Sequence, residues 1–297
     1  MRVSLCYSLW AKIGKFSRRK SYMSLDQTSQ LLGKFRYALM DMDGVLYRGN
    51  QAMPGLLEFF AFLDKNNIKY FLLTNNATMT SEDYHQKLLK MGLDIPAELI
   101  ITSPAATRMY LEKIAPEGAG VYVVGMAALR KTLFGADEQG ELFYPDDKNA
   151  RFVVQGADFN LVYETVKRAT LLIRGGATYI ATNVDPVFPS EEGLIPGSGS
   201  ISALLQTATS QKPLVMGKPE PIMYELALEK LGASREETVM IGDNLVTDID
   251  GAVRLGIPTI LTLSGVTSAA DYAQNSIRAD LDFVGLPELI EAWQQAL

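Results

Sequence analysis

Two residue types are nearly missing from this chain of 297 residues: it has one cysteine, Cys6, and one histidine, His85. A single cysteine excludes internal disulfides and any cysteine cluster for zinc or iron, and it fits a reducing compartment such as the cytoplasm. A single histidine argues against phosphohistidine chemistry and excludes histidine-rich metal sites. His85 lies in the polar helical stretch S-E-D-Y-H-Q-K-L-L-K, where a surface position is expected. Basic charge is in deficit too: 28 Lys+Arg stand against 34 Asp+Glu, a formal charge of −6, which argues against nucleic acid as a bulk partner. No apolar run approaches the roughly 20 residues that a membrane span requires.

With 47% hydrophobic residues, the chain is long enough for one large or two ordinary domains with a real core. Residues 1–33 differ in composition: Arg2, Lys12, Lys15, Arg18, Arg19 and Lys20 precede the first acid, Asp26. This segment reads as a disordered basic extension, with a short targeting arm as the alternative.

The stretch that organises the rest is Y-A-L-M-D-M-D-G-V-L, Tyr37 to Leu46, an apolar run that stops at two carboxylates. It reads as a buried strand delivering Asp41 and Asp43, with Gly44 turning the chain. Residues two apart in a strand share a face, so these carboxylates need a metal, a shared proton or a bend between them. A nucleophilic carboxylate beside a divalent cation and an acid is the arrangement that forms an aspartyl-phosphate.

Similar polar clusters follow other apolar runs. I-K-Y-F-L-L-T-N-N ends at Thr74, Asn75 and Asn76; K-P-L-V-M-G-K-P places Lys218 after a short strand; E-T-V-M-I-G-D-N-L-V-T-D ends at Asp243 and Asn244, with Asp248 beyond. Helical patterns alternate with these strands, which predicts a parallel α/β sheet. Ligands bind such sheets at the carboxyl ends of strands, so the four clusters are expected on one edge of one sheet. Their chemistries are complementary for phosphoryl transfer: Asp41 as nucleophile, Asp43 as acid and then base, Asp243 and Asp248 on a Mg²⁺ ion, and Thr74, Asn75 and Lys218 on the phosphoryl oxygens. Each cluster alone also suits a turn or a helix cap; the combination and order are what favour function.

These motifs resemble the haloacid dehalogenase-like phosphohydrolases, in subfamily IIA, the NagD-like or p-nitrophenylphosphatase branch. D-M-D-G-V-L-Y is similar to the first motif, L-L-T-N-N to the second, G-K-P to the third, I-G-D-N-L-V-T-D to the fourth, and L-S-G-V at Leu263–Val266 to a further feature of the branch. The resemblance implies a Rossmann-like core at 34–103 and 200–297, with a large C2-type α/β cap inserted at 104–199. It also implies Mg²⁺ dependence and small phosphate monoesters as substrates. Asp41, Asp243 and Asp248 would hold the metal, joined by the main-chain carbonyl of Asp43. The cap loop T-N-V-D-P-V-F-P-S-E-E-G, with Asn183, Asp185 and Phe188, would reach over the site and help to choose the substrate. Some vitamin phosphate phosphatases of the branch carry histidine where Phe188 stands, which disfavours pyridoxal phosphate. A phosphomutase or phosphotransferase with the same nucleophile, and a silent binding protein, are the alternatives. No membrane partner is expected, and the oligomeric state, a homo-oligomer included, stays open.

Overall fold

A computed structural model describes residues 25–297. Six parallel strands form the larger sheet, in the order Leu281–Phe283, Thr259–Thr262, Thr238–Gly242, Tyr37–Asp41, Lys69–Thr74 and Ile100–Thr102. The central strand is covered on both faces, which is why it reads as an unbroken apolar run. Ala38 and Met40 enter the core packed around Trp293, Phe35, Phe59 and Phe62, whereas Leu39 enters the opposite core with Met223, Tyr224 and Met240. The period of two in the strand thus divides one short run between two cores.

A second sheet of five parallel strands has the order Leu214–Val215, Thr178–Ala181, Phe152–Gln155, Ala119–Val124 and Phe143–Pro145. The helix Ser103–Ile114 joins the two units, with Ala106 buried in the first and Leu111 in the second. This is the expected α/β architecture, but its boundaries differ from 104–199. The helix Ser198–Thr209 buries Ile201 and Leu205 in the cap, and Leu214 and Val215 pair with Ile180 and Ala181 of the cap sheet. The chain therefore stays in the cap through Val215. Composition could not show this, because a two-residue strand carries no mark of the sheet it will join.

Three further expectations change. The loop after Asn183 contains an antiparallel hairpin, Val187–Ser190 with Gly193–Pro196. At the start of the chain, Leu25–Leu32 is a helix whose Leu32 is fully buried against the core, so this part of the expected extension is folded. The rest of that extension, residues 1–24, lies outside the described residues. His85 is half-buried, not free on the surface, and its Nδ1 lies 2.7 Å from the carbonyl of Ile95. No helix among the described residues is long and apolar enough to cross a membrane.

Candidate active site

Strand register places the acids. Asp41 is the last residue of its strand and pairs with Leu73, one residue before Thr74; on the other side Met40 pairs with Ile241, two residues before Asp243. Three strand ends thus meet at one level. The carboxylates of Asp41, Asp243 and Asp248 each offer an oxygen within 4.8 Å of the others.

Asp43 leaves this group. Gly44 takes φ +85°, in the left-handed region that glycine enters freely, and its N–H donates to the Tyr47 carbonyl at 2.8 Å. Asp43 lies beyond the strand end and is exposed, outside the group of three carboxylates, and the chain turns sharply after it at Gly44. Partial burial still lifts the Asp43 carboxyl above the ordinary aspartate range, against the opposing pull of Lys87 and Arg48. Sequence reasoning missed both cations; Lys87 belongs to the helix Ser81–Leu89, and no local pattern links it to Asp43.

Lys218 sits among the acids although its strand is in the other sheet. Its Nζ lies 2.5 Å from Asp41 Oδ1 and 2.8 Å from Asp248 Oδ1, and it donates to the Leu73 carbonyl at 3.2 Å. The expectation that all four clusters end strands of one sheet is therefore corrected: three do, and Lys218 arrives from the end of a cap strand. Burial disfavours the ammonium, but Asp248 and Asp41 outweigh it and hold Lys218 above the usual lysine range. Burial and the neighbouring Asp248 push Asp243 up to about 7. Burial likewise raises Asp41, with the Lys218 ammonium pulling the other way.

Glycines make room for these groups. A Cβ on Gly265 would stand 1.8 Å from Asp243 Oδ2, and one on Gly44 2.2 Å from the same atom. The Val266 N–H donates to Asp243 Oδ2 at 2.6 Å, which gives L-S-G-V its structural purpose. Asp248 Oδ2 accepts from the N–H groups of Asp243, at 3.2 Å, and Asn244, at 3.1 Å; Asn244 caps the turn that follows.

The expected phosphate ligands divide. Thr74 is buried at its strand end, where its Oγ1 accepts from the Asn76 N–H at 3.1 Å. The Asn76 Oδ1 accepts from the N–H and hydroxyl of Thr78, so that end of the side chain shapes the turn. Asn75 Nδ2 donates to Lys218 O at 2.7 Å and Asp185 Oδ2 at 3.2 Å, which uses both hydrogens of its amide. The expectation that this amide faces a phosphoryl group is corrected accordingly. Asn183 and Asp185 are brought to the cluster through Asn75, with Asn183 Nδ2 donating to Asn75 O at 2.8 Å. Phe188 lies in the hairpin instead, its ring centroid 5.1 Å from that of Phe159.

The donor set is all oxygen, and three carboxylates against one ammonium leave two negative charges for a cation to balance. Hard oxygen ligands at that charge fit a divalent ion such as Mg²⁺ or Mn²⁺ better than a soft metal.

Residues 38–139 match the model of the haloacid dehalogenase-like hydrolases, and residues 215–289 match a second model described as HAD-hydrolase-like. A dihydroxyacetone phosphatase of Corynebacterium glutamicum is 38% identical over 86% of this chain and 90% of its own. An acid sugar phosphatase of Staphylococcus saprophyticus is 36% identical over 86% of this chain and 97% of its own. Among solved structures, a 4-nitrophenylphosphatase from Thermotoga maritima superposes with a TM-score of 0.82 at 35% identity, covering 89% of this chain and 99% of that one. Motifs, fold and relatives agree: the chain belongs to the haloacid dehalogenase-like hydrolases, in their NagD-like, p-nitrophenylphosphatase branch.

Proposed function

We propose that this phosphoric monoester hydrolase uses Asp41 as its nucleophile on small sugar and polyol phosphates, with Mg²⁺ held by Asp41, Asp243 and Asp248. One observation carries the reading: the three carboxylates converge within 4.8 Å while Lys218 bridges two of them. When bound, the ion supplies charge that balances the acids and offsets the negative charge of the phosphoryl oxygens. The names of the relatives support the substrate class, and the low cysteine content supports a cytoplasmic site of action.

The steps follow from the positions of the side chains. An Asp41 carboxylate oxygen forms a bond to phosphorus as the ester P–O bond breaks, and the departing oxygen takes the proton of Asp43. Asp43 suits that task because burial helps its carboxyl to retain a proton. The ionised Asp43 then removes a proton from water, whose oxygen attacks phosphorus; the bond to Asp41 breaks and inorganic phosphate leaves. Lys218 opposes the charge of Asp41 and faces the incoming phosphoryl group. Thr74 and the Asn75–Asn76 turn bring a hydroxyl and main-chain N–H groups to the same strand-end level.

Phosphate release from p-nitrophenyl phosphate and from a panel of sugar and polyol phosphates, with Mg²⁺ and with chelator, tests the reading. Metal-dependent release by wild type and none by Asp41→Asn is the expected result; equal release by the two proteins overturns it.

A further inference from the structure

Asn75 joins three parts of the molecule. It follows the core strand Lys69–Thr74, and its Nδ2 donates to Asp185 of the cap loop and to the main-chain carbonyl of Lys218. Its own carbonyl accepts from Asn183 Nδ2 at 2.8 Å and from Ser103 Oγ at 2.6 Å. Its Oδ1 is buried without a donor, and a Cβ on Gly217 would stand 2.6 Å from that atom. The amide nitrogen is thus held between the cap loop and Lys218, and Gly217 leaves room for the oxygen.

The grip has a rigid far end. The Asp185 N–H donates to Asn183 Oδ1 at 3.1 Å, and its carbonyl accepts from Gly199 N at 2.8 Å. A Cβ on Gly199 would stand 2.2 Å from Val184 O, so the loop lies flush on the start of the helix Ser198–Thr209. From Asp185 the contacts run through the Asn75 amide to the Lys218 carbonyl, and from the Lys218 ammonium to Asp41 and Asp248. A carboxylate is a stronger acceptor for that amide than a neutral group, so it fixes the amide more firmly.

We infer that Asp185 is a positioning residue for the hydrolysis: acting through Asn75 it fixes the Lys218 main chain, and with it the ammonium that faces Asp41. The inference rests on Asp41 being the nucleophile. It assigns the cap a part in placing the cation of the site, besides any part in covering the substrate. Loss of a contact that binds substrate and transition state alike raises KM and leaves kcat unchanged, and loss of a group that only fastens the cap changes stability alone; loss of a positioning residue lowers kcat.

Four proteins test it: Asp185→Ala, Asp185→Asn, Asn75→Ala, and the double variant Asp185→Ala/Asn75→Ala, assayed on p-nitrophenyl phosphate beside wild type. Asp185→Ala is expected to lose roughly tenfold or more in kcat, the order that a misplaced charged group costs. Its KM should stay within about twofold of wild type, because the lost contact does not bind substrate. Asp185→Asn, which keeps an acceptor oxygen, should recover most of the loss. The double variant should be no slower than Asn75→Ala alone. A rise in KM without a fall in kcat, or an undiminished Asp185→Ala loss in the Asn75→Ala background, overturns the inference. If wild type releases no phosphate, the nucleophile reading fails first. Melting temperatures of the same proteins then decide the contact itself, and strictly additive losses overturn it.

Discussion

Lys218 Nζ lies 2.5 Å from Asp41 Oδ1, although Asp41 ends a strand of the core sheet and Lys218 follows a strand of the cap sheet, Leu214–Val215. The cation of the site thus belongs to the cap unit by pairing and to the core by contact. Replacing Lys218 with Met should lower kcat at least about a hundredfold, the order lost when a charged stabiliser of the transition state is removed. It should also lower the melting temperature, because buried Asp41 and Asp248 lose their shared counter-charge. Steady-state phosphate release and thermal unfolding read the two effects; unchanged kcat would show that Lys218 is only a strut.

Asp41→Asn should abolish turnover while the melting temperature stays near or above that of wild type. The amide has nearly the same volume, and the substitution removes one of three mutually repelling acids. Acid-quench trapping should find phosphate bound to the wild-type chain and none on the variant.

Asp43→Asn should slow poor leaving groups far more than good ones. An alkoxide needs a proton to depart, whereas p-nitrophenolate needs little help, so the loss on an alkyl phosphate should exceed that on p-nitrophenyl phosphate by roughly tenfold or more. Equal losses on both substrates would remove Asp43 from the acid role.

Gly265→Ala would drive a methyl into Asp243, whose Oδ2 stands 1.8 Å from the required Cβ position. Displacing a carboxylate from the cluster should raise the Mg²⁺ concentration for half-maximal activity roughly 10–100-fold. A metal titration of activity reads this directly, and no shift would mean that Asp243 is not a ligand.

Mg²⁺ should stabilise the wild-type fold in the absence of substrate. A cation present at 100 times its dissociation constant adds about 2.7 kcal/mol, visible as a rise in melting temperature that chelator reverses. Asp243→Asn and Asp248→Asn should weaken the rise.

Much of the site was legible before folding was considered. An apolar run ending in D-x-D-G, and three more runs ending in T-N-N, G-K-P and G-D-N, mark strand ends and their order because burial and turn chemistry are local. The sequence by itself determined the α/β class and the strand-end acids Asp41, Asp43 and Asp243. It also supplied the oxygen-only donor set, through its lack of cysteine and histidine.

Tertiary structure decided the rest. It seated Leu214–Val215 in the cap sheet, so Lys218 enters the acid cluster from the other unit, and it committed both amide hydrogens of Asn75 to Asp185 and Lys218. It left room at Gly265 for the Asp243 carboxylate. The physical reason is range: periodicity reports which face of an element is buried, whereas strand partners and close approaches depend on residues far apart in the chain.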